Sequence, residues 1–188
     1  TAEIDALLAD KGTEGLTDPD DTPEPPVEPV TRLGDVWVCG QHRVMCGDST
    51  NETAVEQLMA MVQADLVFTD PPYGMNMDHW DHSVPSVDIW VEVFRTLRPG
   101  AFCLAFCSPE LYHRLACNVE DAGFKIKDQI MWMTTTKMPK HNRLKPAHEP
   151  IVVAQKPYKG TLQNNFENWE CGLIDTKNTR IPWDGKPP

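Results

Sequence analysis

Four adjacent residues in this 188-residue chain, Asp70-Pro71-Pro72-Tyr73, bring together an anionic acceptor, a carbonyl acceptor, a stiff turn and an aromatic face. A carboxylate only accepts hydrogen bonds, and proline keeps its carbonyl while losing its N–H, so Asp70 and Pro71 present two acceptors side by side. Two successive prolines fix the chain direction and aim both oxygens. Such a pair can hold both hydrogens of an amino group, and Tyr73 offers a flat face for a planar ring, a contact worth about 1–3 kcal/mol. The same residues also suit a plain strand-ending turn, because Asp and Pro are common turn formers and the residue before a proline avoids the helical region. The preceding run favours chemistry. Ala64–Thr69 is short and mostly apolar, the pattern of a buried parallel strand, and open α/β sheets place ligand sites just past such strand ends.

Other elements must position that turn. Residues 35–39 and 42–46, joined at Gly40-Gln41, predict a small hairpin that leads into Gly47-Asp48-Ser49-Thr50. Helix-start residues follow, and Ala54, Leu58, Met59 and Met61 supply an apolar stripe, so a helix is predicted over about 52–62. After the strand ending at Thr69 comes an irregular loop through Pro85, then a helix over 87–97 stopped by Arg98-Pro99-Gly100. A strand at 101–106, a helix at 109–122, a strand at 124–133 and a strand at 150–155 complete the alternation. That βαβαβ order predicts a mostly parallel, helix-covered sheet. Thr1 to Lys11 could form a short helix, whereas residues 17–30 carry five prolines and read as an extended linker.

Composition sets the outer limits. A content of 40% apolar and 8% aromatic residues is ordinary for a globular chain of one domain. The longest wholly apolar stretch, Ala101–Cys107, is far below the roughly 20 residues of a membrane helix, and the acidic start does not resemble a signal peptide. No membrane partner is expected, and the expected compartment is the cytoplasm. The six cysteines form no CxxC pair, so free buried thiols are expected rather than bridges or zinc ligands. Thr1 stands where a methionine is usual, which leads to the expectation of a fragment.

The net charge of −11 argues against a polyanionic partner until its distribution is considered. Residues 1–30 carry −8 and residues 31–124 another −8, whereas residues 125–188 carry +5. Within the basic third, Lys137, Lys140, Arg143 and Lys145 place four positive charges in nine residues, a candidate phosphate-contacting loop.

Several stretches resemble, in order, the β-type amino-group DNA methyltransferases, whose motifs are circularly permuted. Residues 33–37 through Gly47-Asp48-Ser49 are similar to the family's opening segment, Phe68-Thr69-Asp70-Pro71-Pro72-Tyr73-Gly74 to its catalytic motif, residues 97–101 to a helix-to-strand segment, and His148-Glu149-Pro150-Ile151 to a late structural motif. The resemblance covers about residues 33–160. It implies a Rossmann-like class I methyltransferase fold, an α/β three-layer sandwich with a mostly parallel sheet, and transfer of a methyl group from S-adenosylmethionine to adenine N6 in double-stranded DNA. Cytosine N4 methylation and a non-catalytic DNA-binding module are the alternatives.

On that reading the base swings out of the duplex, Asp70 and the Pro71 carbonyl accept from its amino group, Pro72 stiffens the turn and Tyr73 stacks on the ring. Asp48 and Asp70 would face the cofactor, Asp48 on its adenosyl part. The four basic residues 137, 140, 143 and 145 would contact DNA. The family's glycine loop, of the form Asp-Pro-Phe-x-Gly-x-Gly, has no counterpart downstream of Gly74. The fold is therefore expected to be incomplete, with a missing C-terminal half or a partner chain supplying the rest. The expected division is an acidic proline-rich segment at 1–32, a partial catalytic domain at 33–160, and the start of a possible target-recognition region at 161–188.

Two further motifs could carry chemistry. His79-x-x-His82 has a metal-ligand spacing, but its setting favours a loop over the substrate, with Trp80 or His79 helping to hold the displaced base, and no metal is expected. His148-Glu149 could serve as an acid/base pair; a structural role at the opening of a strand is the expectation.

Overall fold

The computed structural model describes residues 24, 26–134, 141–142 and 144–175. Strands β1 (Val36–Cys39) and β2 (His42–Met45) form the predicted antiparallel hairpin. Helix α1 (Glu52–Met59) follows, then β3 (Ala64–Thr69), α2 (Val87–Thr96), β4 (Leu97–Phe106), α3 (Tyr112–Asp121), β5 (Lys125–Met133), β6 (His148–Gln155) and α4 (Leu162–Trp169). The hairpin is a sheet of its own, and the main sheet has the order β3-β4-β6-β5.

β3 and β4 are parallel, while β6 runs antiparallel to both β4 and β5. Three of the four strands thus point the same way, and the reversed β6 lies between two of them. The architecture is mixed α/β as expected, with one departure inside the sheet. The reversal suits the chain order: β5 and β6 are consecutive strands with no helix between them among the described residues, and only a parallel neighbour requires a crossover. Its consequence is positional, because the start of β6 lies at the same sheet edge as the ends of β3 and β4. Cys107 N donates to Pro150 O at 2.9 Å there.

One face of the sheet carries the core. Ala101, Cys103 and Ala105 of β4 and Val152 and Ala154 of β6 pack with Trp90 of α2 and with Leu115 and Val119 of α3, all essentially inaccessible. The period-two alternation along β4 sends Phe102, Leu104 and Phe106 to the opposite face. There Phe68 of β3, Phe106 of β4 and Trp132 of β5 stack edge to face, the last pair over the intervening β6, at centroid separations of 5.5 and 6.1 Å. No helix among the described residues covers them, and Phe68 is 62% exposed. This corrects the expectation that β3 is buried: Leu66 and Phe68 lie on the uncovered face of an edge strand.

Polar fastenings hold the elements in register. Lys156 Nζ, at the exit of β6, donates to Phe94 O (2.7 Å) and Leu97 O (2.8 Å) and lies 4.7 Å from the Phe94 ring centroid. It satisfies carbonyls at the end of α2 and meets the negative end of its dipole. Arg95 of α2 reaches Glu92 (2.7 Å) on its own helix and Glu56 (3.0 Å) on α1, which ties α1 to α2. α1 in turn holds the hairpin, through Arg43 Nη2 to Gln57 O and Gln57 Nε2 to Gly34 O.

Several boundaries differ from expectation. α1 ends at Met59, because Ala60 and Met61 both take left-handed φ (47° and 65°) and Met61 is fully exposed rather than part of the stripe. β4 begins at Leu97, so Arg98-Pro99-Gly100 are strand rather than helix stop. Pro99 needs no N–H there, and its carbonyl accepts from Asn165 Nδ2 at 3.0 Å. α3 starts three residues late, since Ser108 O accepts from Leu111 N and Tyr112 N in a preceding turn.

α4 is an element that the sequence reading does not predict. Thr161 caps it through Oγ1 on Asn164 N, and Asn165, only 4% exposed, anchors it to the start of β4. The thiols divide evenly: Cys103, Cys107 and Cys171 are buried as expected, whereas Cys39, Cys46 and Cys117 are exposed. No helix among the described residues is long and apolar enough to cross a membrane.

Candidate active site

Asp70 follows the last residue of β3, at the C-terminal edge of a strand parallel to its neighbour, the place where such sheets hold ligands. The tetrapeptide is not sealed in the interior. Asp70 and Pro72 are exposed, Pro71 and Tyr73 are half-buried, and all four line a cavity of about 290 Å³ with Met75, Met77, Trp80 and Asp81. That volume is close to the lower bound of about 300 Å³ for ligand clefts.

The Tyr73 hydroxyl lies beside the Asp70 carboxylate, close enough for hydrogen bonding and charge to act on it. Burial, that hydrogen bonding and the charge of Asp70 together push the phenol far above its usual range, with Glu149 and Cys107 adding to the effect. Tyr73 therefore stays a neutral phenol. An ionised carboxylate has about four lone-pair sites, so Asp70 keeps capacity for a second donor. The contribution of Glu149 comes from the reversed strand, which brings the start of β6 to this edge. Cys107 is a poor nucleophile here, because burial pushes its thiol up to about 11.

The loop after Tyr73 is closed by a residue outside the set singled out from the sequence. Asp81, 4% exposed, accepts from Gly74 N (2.6 Å), Met75 N (3.0 Å) and Met77 N (3.2 Å). Burial opposes its ionisation, but these amides outweigh it and hold the carboxyl below the usual carboxylate range. The signal is present as an acid within reach of a glycine-led loop, a known way of turning a chain.

The two histidines of the H-x-x-H motif have separate partners. His79 Nδ1 is 2.7 Å from Asp78 Oδ1, and His82 Nδ1 is 3.2 Å from Asn76 Oδ1. Among the described residues no three His, Cys, Asp or Glu side chains are grouped to hold a metal. His148 and Glu149 pair across the sheet with Met133 and Trp132, in the opening rungs of the ladder between β6 and β5.

Asp48 does not line the Asp70 cavity. It sits in the exposed turn before α1, where Thr50 N (2.8 Å) and Thr50 Oγ1 (2.7 Å) both donate to its Oδ1 and hold its carboxyl below the usual range. The helix cap itself is Asn51, whose Oδ1 accepts from Ala54 N at 3.0 Å. Lys137, Lys140 and Arg143 lie outside the described residues, and Lys145 is exposed in the segment leading to β6.

The family model of the N6/N4 DNA methylases matches residues 64–183, from the first residue of β3 onward. The chain belongs to the N6/N4 DNA methylase family. Among curated relatives of this methylase, the type II methyltransferase M.HindIII of Haemophilus influenzae is 27% identical over 125 residues, covering 52% of this chain and 40% of that protein. The chain thus matches well under half the length of that relative. Two solved structures are similar over part of their length. The M1.HpyAVI–SAM complex is 23% identical with a TM-score of 0.43, covering 55% of this chain and 50% of that one. TTHA0409 of Thermus thermophilus, complexed with S-adenosyl-L-methionine, is 23% identical with a TM-score of 0.40, covering 60% of this chain and 56% of that one.

Proposed function

We propose that this methylase chain forms the base-binding part of an enzyme that transfers a methyl group from S-adenosylmethionine to the N6 amino group of adenine in double-stranded DNA. The observation that carries the reading is the cavity at the end of β3, lined by the whole tetrapeptide, with Asp70 exposed and Tyr73 on the same wall. An exocyclic amino nitrogen is a weak nucleophile because its lone pair is delocalised into the ring. Acceptors on both of its hydrogens favour the pyramidal, charge-bearing nitrogen of the transition state. Asp70 and the Pro71 carbonyl supply them. Asp70 acts as a fixed hydrogen-bond acceptor aimed at the charge that develops on the nitrogen. Tyr73 and Trp80, both on the cavity wall, give the extruded ring its apolar surfaces.

The residues present fit only part of the cofactor. A carboxylate at the strand end suits a sulfonium charge, and Asp48 is an exposed anion, but no glycine loop for a carboxylate tail follows Gly74 in these 188 residues. When bound, the cofactor supplies an electrophilic methyl group; no step of the base-holding chemistry above depends on its placement. We assign the remaining cofactor contacts, and the cover for Leu66, Phe68 and Trp132, to further polypeptide, either a continuation of the chain or a partner. What supports this is the exposed sheet face and the matched 40% of the curated relative. In this reading residues 1–32 are a linker, 33–160 the partial catalytic domain, and 161–188 the start of target recognition.

The test is the chemical identity of the product. Unmethylated duplex DNA incubated with the complete protein and cofactor, then digested to nucleosides, is expected to yield N6-methyldeoxyadenosine by mass spectrometry. N4-methyldeoxycytidine would overturn the adenine assignment, and a C5-methylated base would overturn the amino-group mechanism.

The basic residues 137, 140, 143 and 145 are assigned to backbone phosphates. Replacing all four with alanine is expected to make the plot of log binding constant against log salt shallower, by about 0.9 in slope for each phosphate no longer neutralised. An unchanged slope would remove them from the interface.

A further inference from the structure

We propose that Asp81 is a positioning residue of the base site, one that fixes the separation of Tyr73 from the Met75–Trp80 wall by folding the intervening loop around its carboxylate. The proposal rests on the base-binding reading above.

A charge withdrawn from water persists only where its lone pairs are filled. At Asp81 the two oxygens divide the work: Oδ1 accepts from Gly74 N at 2.6 Å, and Oδ2 from Met75 N at 3.0 Å and Met77 N at 3.2 Å. The donors belong to residues that follow Tyr73 directly, so the carboxylate reaches back to the end of the catalytic tetrapeptide. The main chain repeats the closure, with Asn76 N donating to Asp81 O (2.8 Å) and Asp81 N to Asp78 O (3.0 Å). Gly74 makes the fit possible. It has φ +70°, and a Cβ there would lie 2.8 Å from Ser83 Cα, so the start of the loop is pressed against its end. Met75, Met77 and Trp80 of this loop line the same cavity as Asp70 and Tyr73. Its width is therefore set by a residue that need not touch the methylated base.

Asp81→Asn isolates this role. The substitution conserves volume but replaces one oxygen with an NH2 group, which then faces one set of amide donors as a donor itself. Asp81→Glu keeps both oxygens on a longer stem. The experiment follows backbone and indole amide resonances of the 188-residue chain while deoxyadenosine 5′-monophosphate is added. In the unsubstituted chain the Gly74, Met75 and Met77 amides are expected to exchange slowly with solvent despite their surface loop, and the nucleotide is expected to shift Tyr73 and Trp80. Asp81→Asn should lower the thermal midpoint while keeping a cooperative transition, release those three amides, and weaken nucleotide binding about ten- to a hundredfold. Asp81→Glu should recover part of the loss.

An Asp81→Asn chain that binds as tightly as the unsubstituted one overturns the positioning role and leaves the base site standing. An unsubstituted chain that ignores the nucleotide overturns the base site and the proposal together. Exchange of the three amides at random-coil rates in the unsubstituted chain overturns the role of Asp81 whether or not any variant folds.

Discussion

Replacing Asp70 with alanine is expected to lower methyl transfer by about 10²–10³-fold or more while leaving the fold intact. The magnitude is that of deleting one preorganised group aimed at developing transition-state charge. Asp70 is exposed at the end of its strand, so its removal opens no cavity in the core. It also removes the negative charge beside the Tyr73 hydroxyl. The check is incorporation of labelled methyl groups into DNA by the complete protein, with circular dichroism to confirm folding. Turnover within a few-fold of the unsubstituted enzyme would show that Asp70 does not hold the amino group.

The second large effect is on stability and separates the two faces of the sheet. Leu115→Ala on α3 is expected to cost about 2–5 kcal/mol, because the side chain is inaccessible within the core and its removal leaves a cavity. Phe68→Ala removes a larger side chain, and a buried phenylalanine would cost about 3–5 kcal/mol. Here it should cost only about 1 kcal/mol, the worth of its edge-to-face contact with Phe106, since the ring is already largely in water. Urea unfolding of the two variants gives both values. A Phe68→Ala loss as large as that of Leu115→Ala would mean that the face is covered in solution.

How much of this was legible in the sequence depended on how local each signal was. The place of residues 70–73 at an open strand end was readable because the apolar run of β3 leads straight into the two prolines. The hairpin was readable for the same reason: Gly40 supplies the left-handed turn between two apolar runs. Strand direction was not. Residues 150–155 look alike whether the strand runs up or down, and only the link from β5 decides. That reversal brings Glu149 near Tyr73, which no spacing in the sequence announces. Burial on the second face was misjudged because Leu66 and Phe68 carry the residue types of a covered strand, and cover is a property of what lies opposite. α4 escaped because its anchor, Asn165, is a poor helix former whose amide is spent on Pro99 O and Cys171 O. Asp81 lies inside the His79-x-x-His82 motif, whose spacing points to a metal and not to the closing of a loop. A carboxylate that gathers three amides has the same letter as one that points into water.

The central claim is that Asp70 and the Pro71 carbonyl grip the amino group of a base, and carbon resonances of those two groups test it most directly. With deoxyadenosine 5′-monophosphate the Asp70 carboxylate carbon and the Pro71 carbonyl carbon are expected to shift together. The corresponding purine nucleotide, which lacks the 6-amino group, should leave both in place. Equal shifts with the two nucleotides, or shifts of neither carbon while Tyr73 responds to both, would contradict the account.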